Sequence, residues 1–464
     1  RRAVHGITRG SRRRSSALES TIVALAALVL SAVPAPGGAS EVSSTQLSDG
    51  LPFSEVWFES TPPQVSPDGQ YAVYVQDAVT NGAHELWSVP LAGGNPVRLS
   101  DVLLAGQSVK FAISPDSNYV VYLVDQDMVG IPELYSVPIA GGSRTKLNMN
   151  LYSLPGKVLN FLISPTSERV YYEADGEVNN VIELWRVDID GGASTRLNAE
   201  ITSSYDIFDY AVGLTSGGSE RVVYRVGRTV QGGYELWSVP GTGSSASAER
   251  ISRAAMVTGG AVNSYFQISQ DGNRVLYLAD ATDDNSFNLY SVPITGGTSI
   301  QLNGALGGAH GVEPDFLISP DSNTAVYRSD EGTDNVLELY SVPIAGGTPF
   351  RVSDDLIAGG GVSQFKISPG SDFVFYVADM VTNNANELFR GEIAGGALAD
   401  VRMSGTLVPG GGVFVNSTSL ALHPDGRQAI YRADQEVDNQ YELYVGDPCL
   451  LCDGFEAGDS GRWD

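Results

Sequence analysis

The chain has 464 residues, 42% of them hydrophobic and 18% charged, a balance that supplies a core and argues against disorder. Its formal charge of −26 at pH 7 comes with no basic cluster, which argues against a nucleic-acid partner and leaves solubility, cationic partners or divalent ions as uses of the acidity. Two cysteines are too few for a zinc or redox centre without further ligands.

Residues 1–39 read as a secretory signal peptide. Arginines at 12, 13 and 14 precede an apolar run, Thr21 to Val33, and small residues suited to cleavage after Ala35 or Ala39 follow it. The run is short for a membrane span, no other stretch of the chain approaches one, and no cysteine follows it to carry a lipid. Removing six arginines and Glu19 takes the formal charge to about −31. The expected location is periplasmic or extracellular.

From residue 45 to 447 one unit of about 50 residues recurs eight times. Each unit has a strand ending in tyrosine, followed in most by aspartate three positions on: Tyr74 and Asp77, Tyr122 and Asp125, Tyr172 and Asp175, Tyr277 and Asp280, Tyr327 and Asp330, Tyr376 and Asp379, Tyr431 and Asp434. The unit at Tyr224 departs, with Gly227 in the aspartate position. A Glu/Asn-Leu-aromatic step follows at Leu86, Leu134, Leu184, Leu236, Leu289, Leu339, Leu388 and Leu443.

Within one unit, Phe111–Ser114, Tyr119–Asp125, Glu133–Ile139 and Arg144–Asn148 alternate as strands, and the Pro115–Asn118 and Gly141–Gly142 turns separate two pairs of them. Helical periodicity is nearly absent between the units, so a parallel sheet with crossover helices is excluded. The expectation is all-β: an eight-bladed β-propeller of four-stranded antiparallel blades. The last unit stops at Val445-Gly446 without a fourth strand, and an unattached fourth-strand signal stands at Thr45 to Ser48, so the N-terminal strand is expected to complete the last blade and close the ring.

The repeated tyrosines and leucines are expected to pack between blades, and the aspartates to bond loop amides as Asx residues do. The glycine pairs are expected to supply the positive φ of tight hairpin turns.

Ser-Pro-Asp-Gly at 66–69, Tyr-Ala-Val-Tyr at 71–74, Glu-Leu-Trp-Ser-Val-Pro at 85–90 and Gly93-Gly94 together resemble the TolB-like propeller repeat. Further copies of the turn stand at Ser114-Pro-Asp116, Ser319-Pro-Asp321 and His423-Pro-Asp-Gly426, and the resemblance covers roughly 45–447. That family includes periplasmic interaction proteins, the propeller portions of prolyl peptidases and some polysaccharide lyases, so the resemblance implies a secreted binding scaffold and no single activity. The tail, 448–464, carries Cys449 and Cys452, for which a local disulfide is expected, and its residues 453–463 resemble the end of many secreted bacterial proteins.

After residue 39 the histidines are His84, His310 and His423, each in a different unit, and no Gly-x-Ser-x-Gly elbow occurs. Binding residues are expected in the loops around the channel mouth, with Tyr205, Asp206, Arg253, His310, Glu313, Asp354 and Asp355 as candidates. The preferred reading is a monomeric, non-enzymatic scaffold that binds a protein or other macromolecule, without a cofactor. The alternative is a metal-assisted polysaccharide lyase or hydrolase that uses a divalent cation at the acidic channel mouth.

Overall fold

A computed structural model describes Leu47, residues 55–56 and residues 61–447 apart from 78, 150–155, 178–180, 200–204, 229–232, 253–259, 281–285, 307–310, 334, 358, 381–384, 396–399 and 417–418. The expected signal peptide and the cysteine pair of the tail lie outside the described residues.

Eight antiparallel sheets follow one another along the chain, and within each the strands sit side by side in sequence order. Sheet 2 is typical, with Lys110–Ile113, Tyr119–Val124, Glu133–Pro138 and Thr145–Lys146. In sheet 1 the innermost position is shared by two short strands. Glu55–Val56 pairs with Gln76 and Asp77, and Gln64–Val65 pairs with Ala72 and Val73, so both lie along the same edge of Tyr71–Asp77. Sheets 2 to 7 have four strands each. Sheet 8 has three among the described residues, Leu420–Leu422, Ala429–Ala433 and Glu442–Gly446.

Period-two alternation explains how the sheets pack. Strand side chains point to opposite faces in turn, and here both faces are apolar. In Tyr119–Val124, Val120, Tyr122 and Val124 join a core with sheet 1, whereas Tyr119, Val121 and Leu123 join the core with sheet 3. The same division recurs through the seven cores that join each sheet to the next. Sheets stacked face to face in chain order, with meander connections, are the blades of a propeller.

The repeated tyrosine is the centre of each core. Tyr122, Tyr172, Tyr277, Tyr327 and Tyr376 are fully buried. The ring lies over the aromatic of the neighbouring strand, with centroids 5.4 Å apart for Tyr122 and Tyr135, and 5.6 Å apart for both Tyr277–Tyr290 and Tyr376–Phe389. Near-parallel rings at that separation add about 1 kcal/mol to the area they bury.

The outer strand is short, and its hold on the sheet is the same each time. The N–H of Leu99, Leu147, Leu197, Ile251, Leu302, Val352 or Met403 donates to the carbonyl of the third-strand leucine at 2.7–2.9 Å. The leucine N–H in turn donates to the side-chain oxygen of Ser100, Asn148, Asn198, Ser252, Asn303, Ser353 or Ser404 at 2.8–3.1 Å. A serine or asparagine after the outer strand therefore satisfies a buried backbone donor that the ladder has run out of strand to meet.

The glycine pairs adopt the expected positive φ, +91° and +141° at Gly141 and Gly142. A second reason for glycine appears only in the stack: a Cβ on Gly141 would stand 2.6 Å from Val97 of the preceding sheet. No helix among the described residues is long and apolar enough to cross a membrane.

Candidate functional site

Most repeated polar residues are engaged in holding the stack. The aspartate after the tyrosine bonds loop amides as expected in sheets 1, 2 and 8, Asp77 Oδ2 to Gly82 N–H at 2.7 Å, Asp125 Oδ2 to Gly130 N–H at 2.6 Å and Asp434 Oδ2 to Asn439 N–H at 2.9 Å. In sheets 7 and 8 it also reaches back to the connection that enters the sheet, Asp379 to Gly361 N–H and Asp434 to Gly412 N–H, each at 2.6 Å.

The Ser-Pro-Asp turns, and Ser269-Gln-Asp271 in sheet 5, join one sheet to the next at the opposite end of the sheets. Asp68, Asp116, Asp271 and Asp321 each donate their N–H to the Oγ of a serine one unit on, Ser117, Ser167, Ser322 and Ser371, at 3.0 Å. Those serines hold φ between +62° and +64°. The Ser66 hydroxyl and the Gln70 amide hold the Asp68 carboxyl below its usual range.

The glutamate of the Glu-Leu-aromatic step is a buried acid with a partner on the outer strand. Glu133 pairs with Lys146 at 2.5 Å, Glu183 with Arg196 at 3.2 Å, Glu235 with Arg250 at 3.0 Å, and Glu338 and Glu387 with Arg351 and Arg402 at 2.9 Å. In sheet 5 both charges are gone, and Gln301 Nε2 donates to Asn288 Oδ1 at 3.0 Å. These acids are paired within their own blades.

The candidate residues fall on different connections. Asp206 Oδ1 accepts Ile182 N–H at 2.9 Å between sheets 3 and 4. Glu313 N–H donates to Arg328 O at 3.0 Å at the entry to sheet 6. Asp355 is highly exposed and pairs with Arg351, which also holds Glu338. Tyr205 begins the first strand of sheet 4, opposite Arg228. Arg253 and His310 lie outside the described residues. No hydrogen bond or ion pair among the described residues joins Asp206, Glu313 and Asp354.

A carboxylate the sequence reading passed over is Asp400. Its Oδ2 accepts Asp354 N–H at 2.9 Å and the Tyr376 hydroxyl, while Asp400 N–H donates to Asp354 Oδ2 at 3.3 Å. Burial pushes the Asp400 carboxyl up to about 6; the Tyr376 hydroxyl and the Asp354 amide oppose the shift, and the Asp354 charge adds to it. Two aspartates, each accepting the other's backbone N–H at its carboxylate, here link the outer-strand regions of sheets 6 and 7. No group of three or more His, Cys, Asp or Glu side chains among the described residues is placed to hold a metal ion.

The remaining surface of interest is built from three loops on one end of the stack. In a meander, the second-to-third-strand hairpins and the sheet-to-sheet connections emerge together. The 101–109 connection is bonded to both hairpins beside it: Gly106 N–H to Gly82 O at 2.7 Å, His84 N–H to Gln107 O at 3.0 Å, and Gln107 Nε2 to Asp125 O at 2.7 Å. This bonded surface exposes Val79, Val102, Leu104, Met128 and Val129, from 47% at Val79 to 66% at Val129. These five exposed apolar side chains sit on three loops, of which the middle one is bonded to each of the other two.

No family model and no curated protein matches the chain. Solved structures do. Dipeptidyl peptidase 4 of Porphyromonas gingivalis is 10% identical with a TM-score of 0.50, over 80% of this chain and 55% of that one. The propeller of Dos1 is 10% identical with a TM-score of 0.42, over 85% and 96%. A putative TolB from Agrobacterium tumefaciens is 21% identical with a TM-score of 0.30, over 52% and 78%. At such identities the likeness concerns the fold alone; the eight antiparallel sheets stacked in chain order are themselves what make the chain an all-β propeller.

Proposed function

We propose that this chain is a non-enzymatic scaffold of the periplasm or extracellular space that binds a protein partner through the loop surface of sheets 1 and 2. The observation that carries the reading is the set of exposed apolar side chains on the hydrogen-bonded loops around Gln107. The repeated acids, tyrosines and serines are absorbed in blade packing, which leaves the loops as the part of each unit free to differ. The partner segment is apolar at its centre and carries lysine or arginine around it, since an acidic chain with a formal charge of −26 steers cations toward it.

The test is a photo-crosslinking amino acid at Leu104 in the protein as its source cell exports it. A discrete adduct that disappears with Met128→Asp and Val129→Asp together, while the melting temperature stays within about 2 °C of the parent, supports the reading. An adduct pattern unchanged by the two aspartates overturns it, as does turnover of a polysaccharide or peptide by the purified chain.

A further inference from the structure

Three of the eight sheets place an arginine directly after the repeated tyrosine: Arg225, Arg328 and Arg432. In sheets 4 and 6 the chain itself supplies the acid that this arginine holds. Arg225 Nε and Nη2 both stand 2.8 Å from Asp209 Oδ2, and Arg328 Nε and Nη2 stand 2.9 Å and 2.6 Å from Asp315 Oδ2. Asp209 pairs directly with Arg225, and Asp315 lies two residues before Leu317, which pairs with Val326, so each aspartate stands opposite its arginine. A third contact runs to the next sheet, Arg225 Nη1 to Val262 O at 3.4 Å and Arg328 Nη1 to Val362 O at 2.7 Å.

Sheet 8 keeps the arginine and its mounting but not the acid. Leu420 pairs with Tyr431 as Tyr210 pairs with Tyr224, so Ser419 stands where Asp209 stands in sheet 4. The Ser419 hydroxyl donates to Asn416 O at 2.9 Å and carries no charge to offer a guanidinium. Phe414 and Tyr441 flank Arg432 as Phe208 and Tyr234 flank Arg225. The Arg432 Cζ is 4.6 Å from each ring centroid, and in both sheets the two rings meet edge to face with centroids 5.3 Å apart. Among the described residues no hydrogen bond or ion pair reaches the Arg432 guanidinium. Arg225 is 8% exposed, whereas Arg432 is open to solvent. Aromatic faces hold the plane of a guanidinium and leave its N–H edge free, and that edge is a fork matched to a carboxylate.

We infer that Arg432, mounted between Phe414 and Tyr441, receives the carboxylate of an aspartate or glutamate on a bound peptide, seated against Nε and Nη2 as Asp209 is seated on Arg225. A formal charge of −26 repels a free anion, whereas a segment that carries lysine beside the acid is drawn in. The ligand is therefore a mixed-charge segment of a protein and not a small carboxylate.

The test follows the Nε–Hε NMR resonance of Arg432 in protein made with isotope-labelled arginine, assigned by its loss in Arg432→Lys. The probes are acetyl-Lys-Asp-Lys-amide, acetyl-Lys-Asn-Lys-amide and sodium acetate, each at about 10 mM, the range that one charge-assisted forked pair reaches. The expected result is a saturating shift with the aspartate peptide, about fivefold or more larger than with the asparagine peptide, although the asparagine peptide is the more cationic and is attracted more strongly by the chain as a whole. Ser419→Asp restores the missing acid, so it is expected to move the resonance without any peptide and to abolish the response to the aspartate peptide. No shift, or equal shifts with the two peptides, overturns the site, and a shift with acetate as large as with the aspartate peptide overturns the peptide assignment. A Ser419→Asp chain that melts with the parent and still responds overturns the seating on Nε and Nη2. The two peptides are compared on the unsubstituted chain, so that comparison stands even where Ser419→Asp fails to fold.

Discussion

Replacing Arg351 by methionine is expected to destabilise the protein through the charge it leaves behind. Arg351 Nη1 stands 2.9 Å from Glu338 Oε1, and the glutamate side chain is only 2% exposed. The other carboxylate oxygen takes the Tyr340 hydroxyl at 2.6 Å, so one hydrogen bond remains after the change. Breaking a fully buried pair costs about 3–5 kcal/mol. Arg351 keeps 37% of its side chain in water, and solvent entering its place screens the stranded charge, so about 2 kcal/mol is expected here.

Sheet 5 supplies the control. Gln301→Met removes a neutral bond to Asn288 at the equivalent place and costs about 1 kcal/mol. Glu338→Gln on the Arg351→Met background removes the stranded charge, and the double variant lies within about 1 kcal/mol of the parent. Urea unfolding followed by tyrosine and tryptophan fluorescence reads the differences. Exchange of the Leu339 amide gives a local value, because a repeat array need not unfold in one step. Equal costs for Arg351→Met and Gln301→Met, or no recovery in the double variant, would refute the view that these acids are structural ion pairs.

The turn serines give a second contrast. Gly272 occupies the turn position held by Ser322 one unit later, at φ +67°, but a Cβ there would lie 2.1 Å from Leu214 O. Gly272→Ser is expected to cost about 3 kcal/mol or more, whereas Gly69→Ser, at φ +71° with nothing within 4 Å, costs only about 1 kcal/mol of backbone strain; thermal melts that rank the two equally would count against the tight stacking of sheets 4 and 5. For Asp400 the sign follows from a folded pKa of about 6 against an ordinary value of 3.8. The folded state holds the proton more tightly, so this group's contribution is complete below pH 3.8 and is lost as pH rises through 6. Asp400→Asn is expected to flatten that part of the melting-temperature profile between pH 4 and pH 7, by about 1 kcal/mol after screening, and an unaltered slope would show that another group titrates there.

The period of the chain alone determined the fold. Tyrosine and leucine at fixed places in eight units can only be buried by like neighbours, so equal sheets stacked on one another follow from the spacing of Tyr74 to Tyr431 and Leu86 to Leu443. Roles within a few residues were legible too, as with Asp77 and its loop amide at Gly82, because an Asx bond is local. The ion pairs left a weaker mark: Glu133 and Lys146, Glu183 and Arg196, and the neutral Asn288 and Gln301 recur at one spacing of 13 residues, and that joint change of charge within the chain could have revealed them.

What the tertiary structure decided lies between units. Asp116 finds Ser167 across 51 residues, and Asp354 finds Asp400 across 46, and neither pairing has a local pattern, since each depends on how far one sheet is turned against the next. The loop surface around Gln107 has the same origin: Val79, Leu104 and Val129 belong to three separate connections, and only the stacking of sheets 1 and 2 lets the middle one bond to the hairpins on either side. Spacing fixes which faces are apolar because side chains alternate along a strand. It cannot fix which loops meet, because that depends on angles between sheets that no single strand encodes.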